Sequence, residues 1–152
     1  MWSDPLVVRF IGGAPSTEQR TWARLLSHVG HWALMEFGYW VIEERSSREF
    51  VGEIGLADFK RAGAPLLRMG PELGFALAPR FHGRGYATEA VRAVLAWGDA
   101  RLPSGRYVCL VDARNAASLR VLQKVGFEVL RQGTLNGLPV VYLSKAIGVR
   151  VD

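Results

Sequence analysis

The chain has 152 residues, a net charge of +5, 49% apolar residues and 22% charged residues. This length and composition suit one globular domain, so we expect a single domain over residues 1–152. No apolar run is long enough to cross a membrane, and the first residues do not resemble a secretory signal. The single cysteine, Cys109, lies in an apolar run. This predicts a buried thiol and favours a cytoplasmic protein without disulfides.

The positive charge fits two kinds of partner, a nucleic acid or a small polyanion. The basic residues are scattered, with no Lys/Arg cluster and no recognisable nucleic-acid motif. A modest positive field that attracts a polyanionic small molecule explains the charge equally well. Charge alone therefore does not decide between a nucleic acid and a small polyanion as the partner.

The first half of the chain predicts one helix followed by three strands. Ser16 and Gln19 have the spacing of a capping box with Ser16 at the N-cap, and apolar residues follow at helical spacing: Trp22, Leu25, Leu26 and Val29. Residues 39–43 and 50–56 predict strands separated by a polar turn. After a loop with Gly and Pro, residues 72–77 predict a third strand.

The second half alternates helices and strands. Residues 87–101 predict a helix that residues 103–105 end, and residues 107–111 predict a buried strand. Asn115 can cap a further helix, which Gly126 ends. Two last strands, residues 127–130 and 138–143, pair across a turn in residues 133–137. An early meander and a late alternation together predict a mixed α/β sheet flanked by helices.

The segment from Arg80 to Gly85 connects a strand to a helix. Its two glycines let the backbone approach a ligand closely, and the helix that follows offers unpaired N–H groups and a positive dipole end. A pyrophosphate is the natural ligand. A dinucleotide fingerprint would need a small residue where Thr88 stands, and a Walker loop would need Gly-Lys-Ser/Thr. A plain strand-to-helix turn remains the structural alternative.

Two motifs carry a family resemblance. Arg80, Gly83 and Gly85, followed by Ala87-Thr88-Glu89-Ala90, resemble motif A of the GNAT acetyltransferase superfamily, and the segment from Asn115 to Phe127 resembles its motif B. With Glu72-Leu73-Gly74-Phe75, they resemble the branch that includes ribosomal-protein alanine N-acetyltransferases. The resemblance covers residues 7–143. It implies a mostly antiparallel sheet with splayed central strands, acetyl-CoA as cosubstrate without a metal, and a primary amine such as a protein N-terminal residue as acceptor.

The resemblance also implies which residues bind acetyl-CoA. The pantetheine arm is expected along the main chain of Phe75, Ala76 and Leu77, and Asn115 is expected to reach the arm or the sulfur. The pyrophosphate is expected on the loop and the first helical turn, which comprise Arg80, His82, Gly83, Arg84, Gly85, Tyr86, Ala87 and Thr88.

Acyl transfer to an amine needs a proton acceptor and a stabilised oxyanion. Glu72 is the candidate general base, directly or through a water, and the alternative is a solvated carboxylate at a strand start. A strand N–H near Phe75 can stabilise the oxyanion. By resemblance, Ser118 is the candidate acid, the alternative being an ordinary first-turn residue. Many superfamily members carry a tyrosine where Leu122 stands, and Tyr142 is a weaker substitute.

Other residues are expected to be structural. His28, His31 and His82 are too few and too dispersed for a metal site. Trp22, Trp32, Trp40 and Trp97 are expected in the core, although Trp32 and Tyr39 border the expected acceptor cleft.

Related chains carry a strand and a helix before the segment matched by residues 4–11. We therefore expect the first strand to be missing and a sheet edge to be exposed, which predicts a homodimer or another covering. Two alternatives to an enzyme stay open. One is a non-catalytic acyl-CoA-binding domain, favoured by the short N-terminus and Leu122, and the other is a basic nucleic-acid-binding domain.

Overall fold

The computed structural model describes residues 1–103 and 105–148. Ser104, expected at a helix end, lies outside the described residues, as do residues 149–152. The helices are α1 (Pro5–Val8), α2 (Glu18–Met35), α3 (Tyr86–Arg101) and α4 (Ala116–Lys124). The strands are β1 (Tyr39–Glu43), β2 (Phe50–Ala57), β3 (Glu72–Leu77), β4 (Arg106–Asp112), β5 (Glu128–Leu135) and β6 (Leu138–Ala146). Two short 3₁₀ helices span Pro65–Met69 and Pro79–Phe81.

The strands form one sheet in the order β1-β2-β3-β4-β6-β5. Every neighbouring pair is antiparallel except β3 and β4, which are parallel. The ladder between β3 and β4 contains a single pair, Glu72 with Val108, so the two strands separate after this point. The predicted fold, a mixed and mostly antiparallel sheet with splayed central strands and flanking helices, is confirmed.

One face of the sheet packs against α3 and forms the main core. Val91, Val94 and Leu95 of α3 contact alternate residues of the strands, among them Leu56 and Leu73. Cys109 is buried in the same cluster, as predicted, and burial, its largest influence, raises the pKa of its thiol. The odd-numbered side chains of β3 therefore face this core, and Glu72, Gly74 and Ala76 face the other side.

Three tryptophans confirm the expectation of core aromatics and one contradicts it. Trp32, Trp40 and Trp97 pack edge to face, with ring centroids 4.7 to 5.7 Å apart. Trp22 is 59% exposed, so its expected place in the core was wrong.

Helix α2 presents its apolar stripe to solvent. Its residues Trp22, Leu25, Leu26 and Val29 are all more than half exposed. The face that meets the sheet is instead polar and aromatic, and consists of Arg24, His28, His31 and Trp32. Among the described residues nothing covers the apolar stripe.

The start of α2 also differs from the prediction. Thr17 is the N-cap, and its Oγ1 accepts a hydrogen bond from the Arg20 amide at 3.2 Å. Ser16 stands one residue earlier, and its amide donates to the Trp2 carbonyl at 2.9 Å. The threonine therefore takes the capping role expected of the serine.

The hairpin of β5 and β6 is longer than predicted. The turn expected over residues 133–137 contains only Asn136 and Gly137, and β5 continues to Leu135. Both turn residues have positive φ, 51° and 78°, as a type I′ turn requires. This turn matches the twist of the flanking strands, so pairing extends to the tip.

At the opposite end of the sheet, β1 is the edge strand. Among the described residues no strand pairs with its outer edge, which agrees with the expectation of an open edge. None of the helices described is long and apolar enough to cross a membrane.

Candidate functional site

The predicted phosphate loop lies between the end of β3 and the start of α3. Gly83 and Gly85 have φ of +74° and +89°, and Gly85 is the N-cap of α3 without any side-chain cap. The first amides of α3 are therefore available to a ligand. His82 Nε2 donates to the Leu77 carbonyl at 2.9 Å, which ties the loop to β3. An added Cβ at either glycine would meet no atom within 4 Å, so the backbone conformation demands glycine here and packing does not.

The two loop arginines are paired with carboxylates from the turn between β1 and β2. Arg80 Nη2 lies 3.3 Å from Glu49 Oε1, and Arg84 Nη2 lies 2.9 Å from Glu44 Oε1. The Tyr86 hydroxyl also donates to Glu44, and this hydrogen bond is the first cause that holds the pKa of Glu44 below its ordinary value. The sequence analysis did not find these carboxylates, because 31 to 42 residues separate the partners.

The main chain expected to hold pantetheine lies on an open strand edge. One edge of β3 is paired with β2 through its whole length, including Ala76 with Glu53 and Leu77 with Gly52. The edge toward β4 is paired only at Glu72. Phe75, Ala76 and Leu77 therefore have no ladder partner on β4, and an extended ligand could hydrogen-bond there.

Glu72 is buried and fully engaged with Arg61. Its side chain is 9% exposed, and Arg61 binds both carboxylate oxygens, with Nε–Oε2 at 2.8 Å and Nη2–Oε1 at 3.0 Å. Burial is the largest influence on Arg61 and acts to lower its pKa. The hydrogen bond and charge of Glu72 outweigh burial and raise the pKa of Arg61. Glu72 is thus neither a solvated carboxylate nor a free one, since it forms a two-point pair with a guanidinium.

The residues expected near the sulfur meet at the start of α4. Asn115 is the N-cap, and its Oδ1 accepts a hydrogen bond from the Ser118 amide at 3.1 Å. Its side-chain amide nitrogen and the second lone pair of Oδ1 are left for a ligand. Leu122 is fully buried in the core. Tyr142 is buried in a separate apolar cluster with Val108 and Val140, which weakens it as an acid.

Tyr39, which the sequence analysis expected at the border of the acceptor cleft, reaches across the sheet to β3. Its ring crosses from β1 over Gly55 of β2, and its hydroxyl lies over Gly74 of β3. His28 stacks on the ring at 4.4 Å with an interplanar angle of 10°. The signal in the sequence was a pair of glycines inside two predicted strands, which marks a close approach of another group.

A cavity of about 890 Å³ opens beside this face. It lies between the N-terminal segment, α2 and β2, and Glu53 and His28 are among its lining residues. Glu53 Oε1 is 3.3 Å from His28 Nε2 and 3.7 Å from Arg24 Nη1. Burial, its largest influence, acts to raise the pKa of Glu53, but hydrogen bonding to His28 and nearby positive charge outweigh burial and lower it. An ionised carboxylate therefore lines the cavity.

The histidines are used within the protein. His31 Nδ1 bonds the Ser27 carbonyl at 2.9 Å, and His31 Nε2 accepts from the Asp58 amide at 3.3 Å. Across residues 1–103 and 105–148, no three His, Cys, Asp or Glu side chains are grouped so that they could hold a metal ion.

Comparison with known proteins identifies the family. The family model described as an acetyltransferase (GNAT) domain matches residues 1–128. The uncharacterized protein YkkB of Bacillus subtilis (strain 168) is 31% identical over 131 residues, which cover 83% of this chain and 70% of YkkB.

Solved structures agree with this assignment. A putative GnaT-family acetyltransferase from Bordetella pertussis superposes with a TM-score of 0.82 at 31% identity, covering 90% of this chain and 81% of its own. The ribosomal-protein-S5-alanine acetyltransferase from Vibrio fischeri shares the fold, with a TM-score of 0.69 at 19% identity over 89% of this chain and 73% of its own. The chain belongs to the GNAT acetyltransferase family.

Proposed function

We propose that this protein is a cytoplasmic N-acetyltransferase that transfers the acetyl group of acetyl-CoA directly to a primary amine. One observation carries the proposal. The glycine loop at the start of α3 and the buried carboxylate of Glu72 lie at the two ends of β3, whose edge toward β4 is open between them. An extended ligand with a pyrophosphate at one end and a thioester at the other matches this arrangement.

The cosubstrate would bind mainly through main-chain groups. The pyrophosphate would lie on residues 82–88, through the amides after His82, because the His82 amide already donates to the Pro79 carbonyl. Pantetheine would run along Phe75, Ala76 and Leu77, with Asn115 facing the arm. Two distant structures of the same fold contain this class of ligand. One is yncA from Salmonella typhimurium with acetyl-CoA, and the other is spermidine N-acetyltransferase from Vibrio cholerae with CoA and spermine.

The chemistry needs one C–N bond to form and one C–S bond to break. The amine nitrogen attacks the thioester carbonyl, and Glu72 takes a proton from the amine. A strand N–H near Phe75 stabilises the developing oxyanion. The CoA thiolate leaves and is protonated, with Ser118 as the proposed acid. This step is the least demanding, since a thiol pKa is about 8.5.

The acceptor class is a primary amine, and a protein N-terminal residue is our first candidate. The Vibrio fischeri neighbour is named for an alanine of ribosomal protein S5, and the Vibrio cholerae neighbour for spermidine. These names span peptides and polyamines, so an acceptor screen has to include both.

The test combines calorimetry with a thiol-release assay. We expect the wild-type protein to bind CoA. We also expect it to release thiol from acetyl-CoA, faster than the same mixture without protein, with at least one of hydroxylamine, benzylamine, spermine and a peptide that begins with alanine. Absence of CoA binding would overturn the proposal, as would salt-sensitive binding of DNA in its place.

A non-catalytic acyl-CoA-binding domain is the second candidate, because Glu72 is tied to Arg61 and Leu122 stands in the core. Tight CoA binding without thiol release for any of the four amines would favour it over the enzyme.

We also propose that the protein is a homodimer. The apolar stripe of α2 and the edge strand β1 are both open in the described chain. Light scattering should show a dimer that Leu26→Glu shifts toward monomer, whereas Gly30→Ala on the same helix should not. A wild-type monomer at high concentration would contradict the dimer.

A further inference from the structure

We infer that the hydroxyl of Tyr39 binds the acceptor amine. Its oxygen would accept a hydrogen bond from an N–H of the attacking nitrogen, over Gly74 and beside Glu72. The inference rests on the proposed function and names a residue of the acceptor site that the motifs do not contain.

The position of the hydroxyl follows from a slot formed by two glycines. Tyr39 is in register with Gly55, and Gly55 is in register with Gly74. A Cβ at Gly55 would overlap the Tyr39 Cα and ring, and a Cβ at Gly74 would overlap the Tyr39 hydroxyl oxygen. The ring therefore lies flat across two strands and its hydroxyl reaches the third.

Several contacts fix the ring in this slot. His28 of α2 stacks on one side of it, and Phe59 approaches it with a centroid distance of 6.4 Å. Trp32 Nε1 donates to the Tyr39 carbonyl at 2.9 Å, which anchors the main chain of β1. Because α2, β1, β2 and the following loop all contribute, the hydroxyl is held in place before any ligand binds.

The hydroxyl shares a sheet face with the proposed base. Side chains alternate along a strand, so Glu72 and Gly74 lie on the same face of β3. The next residue, Phe75, is where the main chain is proposed to meet the thioester. The base, the Tyr39 hydroxyl and the thioester carbonyl would thus all be next to one another, along residues 72–75 of β3.

The hydroxyl is available to a ligand. Among the described residues it makes no hydrogen bond, and the side chain is only partly buried, so a ligand can reach the hydroxyl. A hydroxyl that has no partner within the protein bonds water or a ligand instead. An amine nitrogen in front of Gly74 would satisfy it.

Its chemistry favours holding the amine over transferring a proton. Burial, followed by the charges of Glu72 and Glu53, raises the pKa of Tyr39 above its ordinary value near 10. A neutral phenol of this kind is a poor acid toward a CoA thiolate, whose conjugate thiol has a pKa of about 8.5. Its oxygen can still accept an N–H of the amine and leave the nitrogen lone pair directed at the thioester. Glu72 remains the proton acceptor.

Tyr39→Phe tests the inference, because it keeps the ring and the stack on His28 and removes only the hydroxyl. We expect unchanged acetyl-CoA affinity by calorimetry, a raised KM for the amine, and kcat/KM lower by about 10–100-fold. Tyr107→Phe is the matched control. Its hydroxyl bonds Asp99 and the Leu95 carbonyl at the far end of α3, so its loss should affect stability and leave kcat/KM unchanged.

Gly74→Ala tests the slot independently of the chemistry. The added methyl group should displace the Tyr39 hydroxyl. In the wild-type background we therefore expect a lower Tm, and a fall in kcat/KM as large as that of Tyr39→Phe. In the Tyr39→Phe background the same methyl group meets no oxygen, so we expect a much smaller fall in Tm and little further loss of rate. Additive effects on Tm and on rate would overturn the placement of the hydroxyl.

The outcomes separate the two proposals. If the wild-type protein binds no acetyl-CoA, or releases no thiol with hydroxylamine, benzylamine, spermine and the alanine peptide, the proposed transferase fails and the inference with it. If the wild-type protein is active and Tyr39→Phe has the wild-type kcat/KM for its best amine, only the inference fails.

Discussion

The proposed phosphate loop and the proposed acceptor face lie at opposite ends of β3 and are built in different ways. The loop is a continuous segment, Arg80 to Gly85, and it would act mainly through its backbone. The acceptor face joins side chains from α2, β1, the loop after β2, and β3, represented by His28, Tyr39, Arg61 and Glu72. One region depends on local conformation and the other on contacts between distant residues.

This difference explains how each region should respond to substitution. A change in the loop alters the main chain and should affect cosubstrate affinity. A change on the acceptor face removes a specific group and should affect the rate or the acceptor while acetyl-CoA still binds. The predictions below test that separation.

The largest effect is expected for Glu72→Gln. Removal of a general base should lower kcat by about 10²–10⁴-fold, with acetyl-CoA affinity unchanged by calorimetry. The remaining rate should depend on the neutral fraction of the amine, so it should rise steeply with pH up to the amine pKa, which is about 10.4 for a lysine-like acceptor.

Asp112→Asn is the matched control, since Asp112 is also buried and pairs with Arg114 through both oxygens. It should keep the wild-type pH–rate profile. A wild-type profile in Glu72→Gln would remove Glu72 from the base role.

A smaller effect is expected for Gly85→Ala, and it should be on binding. An alanine at a φ of +89° costs about 1–2 kcal/mol, and a loop that relaxes to avoid this strain misdirects its amides. CoA affinity should fall by about 5–30-fold in calorimetry, since about 1.4 kcal/mol is tenfold.

Gly30→Ala in α2 is the control glycine, because it has open space and no positive φ. It should leave CoA affinity unchanged. Equal affinity for CoA in Gly85→Ala would show that the loop backbone does not hold the pyrophosphate.

The smallest effect is expected for Glu44→Gln, and it should increase CoA affinity where Gly85→Ala decreases it. The change frees Arg84 from its carboxylate, so CoA should bind more tightly by about 1.5–5-fold, with a steeper loss of affinity as salt is added. Glu43→Gln is the control, because Glu43 lies next to Glu44 but pairs with Arg48 and, among the described residues, with neither arginine of the loop. Weaker CoA binding in Glu44→Gln would indicate that Glu44 positions Arg84 for the phosphate.

The sequence predicted what depends on local pattern. The bounds of β1 and β3 were found to the residue, and the glycine loop was placed correctly at the start of α3. The predictions were wrong where a contact with another part of the chain decides between two local structures that the sequence allows equally. Thr17 caps α2 in place of Ser16, and the twist of paired strands shortens the last turn to Asn136 and Gly137.

Other features required the folded chain. The apolar stripe of α2 predicted a helix correctly, yet the helix face that meets the sheet is set by His28 and Trp32, which contact β2 and β1. Arg61 lies in a loop without a pattern, so its pairing with Glu72 carried no signal in the sequence. The Tyr39 slot needs the register of three strands.

Because β3 and β4 separate, a cosubstrate bound between them would also stabilise the protein against unfolding. A sheet joined by a single pair at its centre lacks the cross-links that hold its other strands, and a pantetheine arm would bridge the two halves. At a ligand concentration 100 times Kd, such binding adds about 2.7 kcal/mol to the free energy of unfolding. The lifetime of this protein in the presence of proteases should therefore rise and fall with the supply of acetyl-CoA.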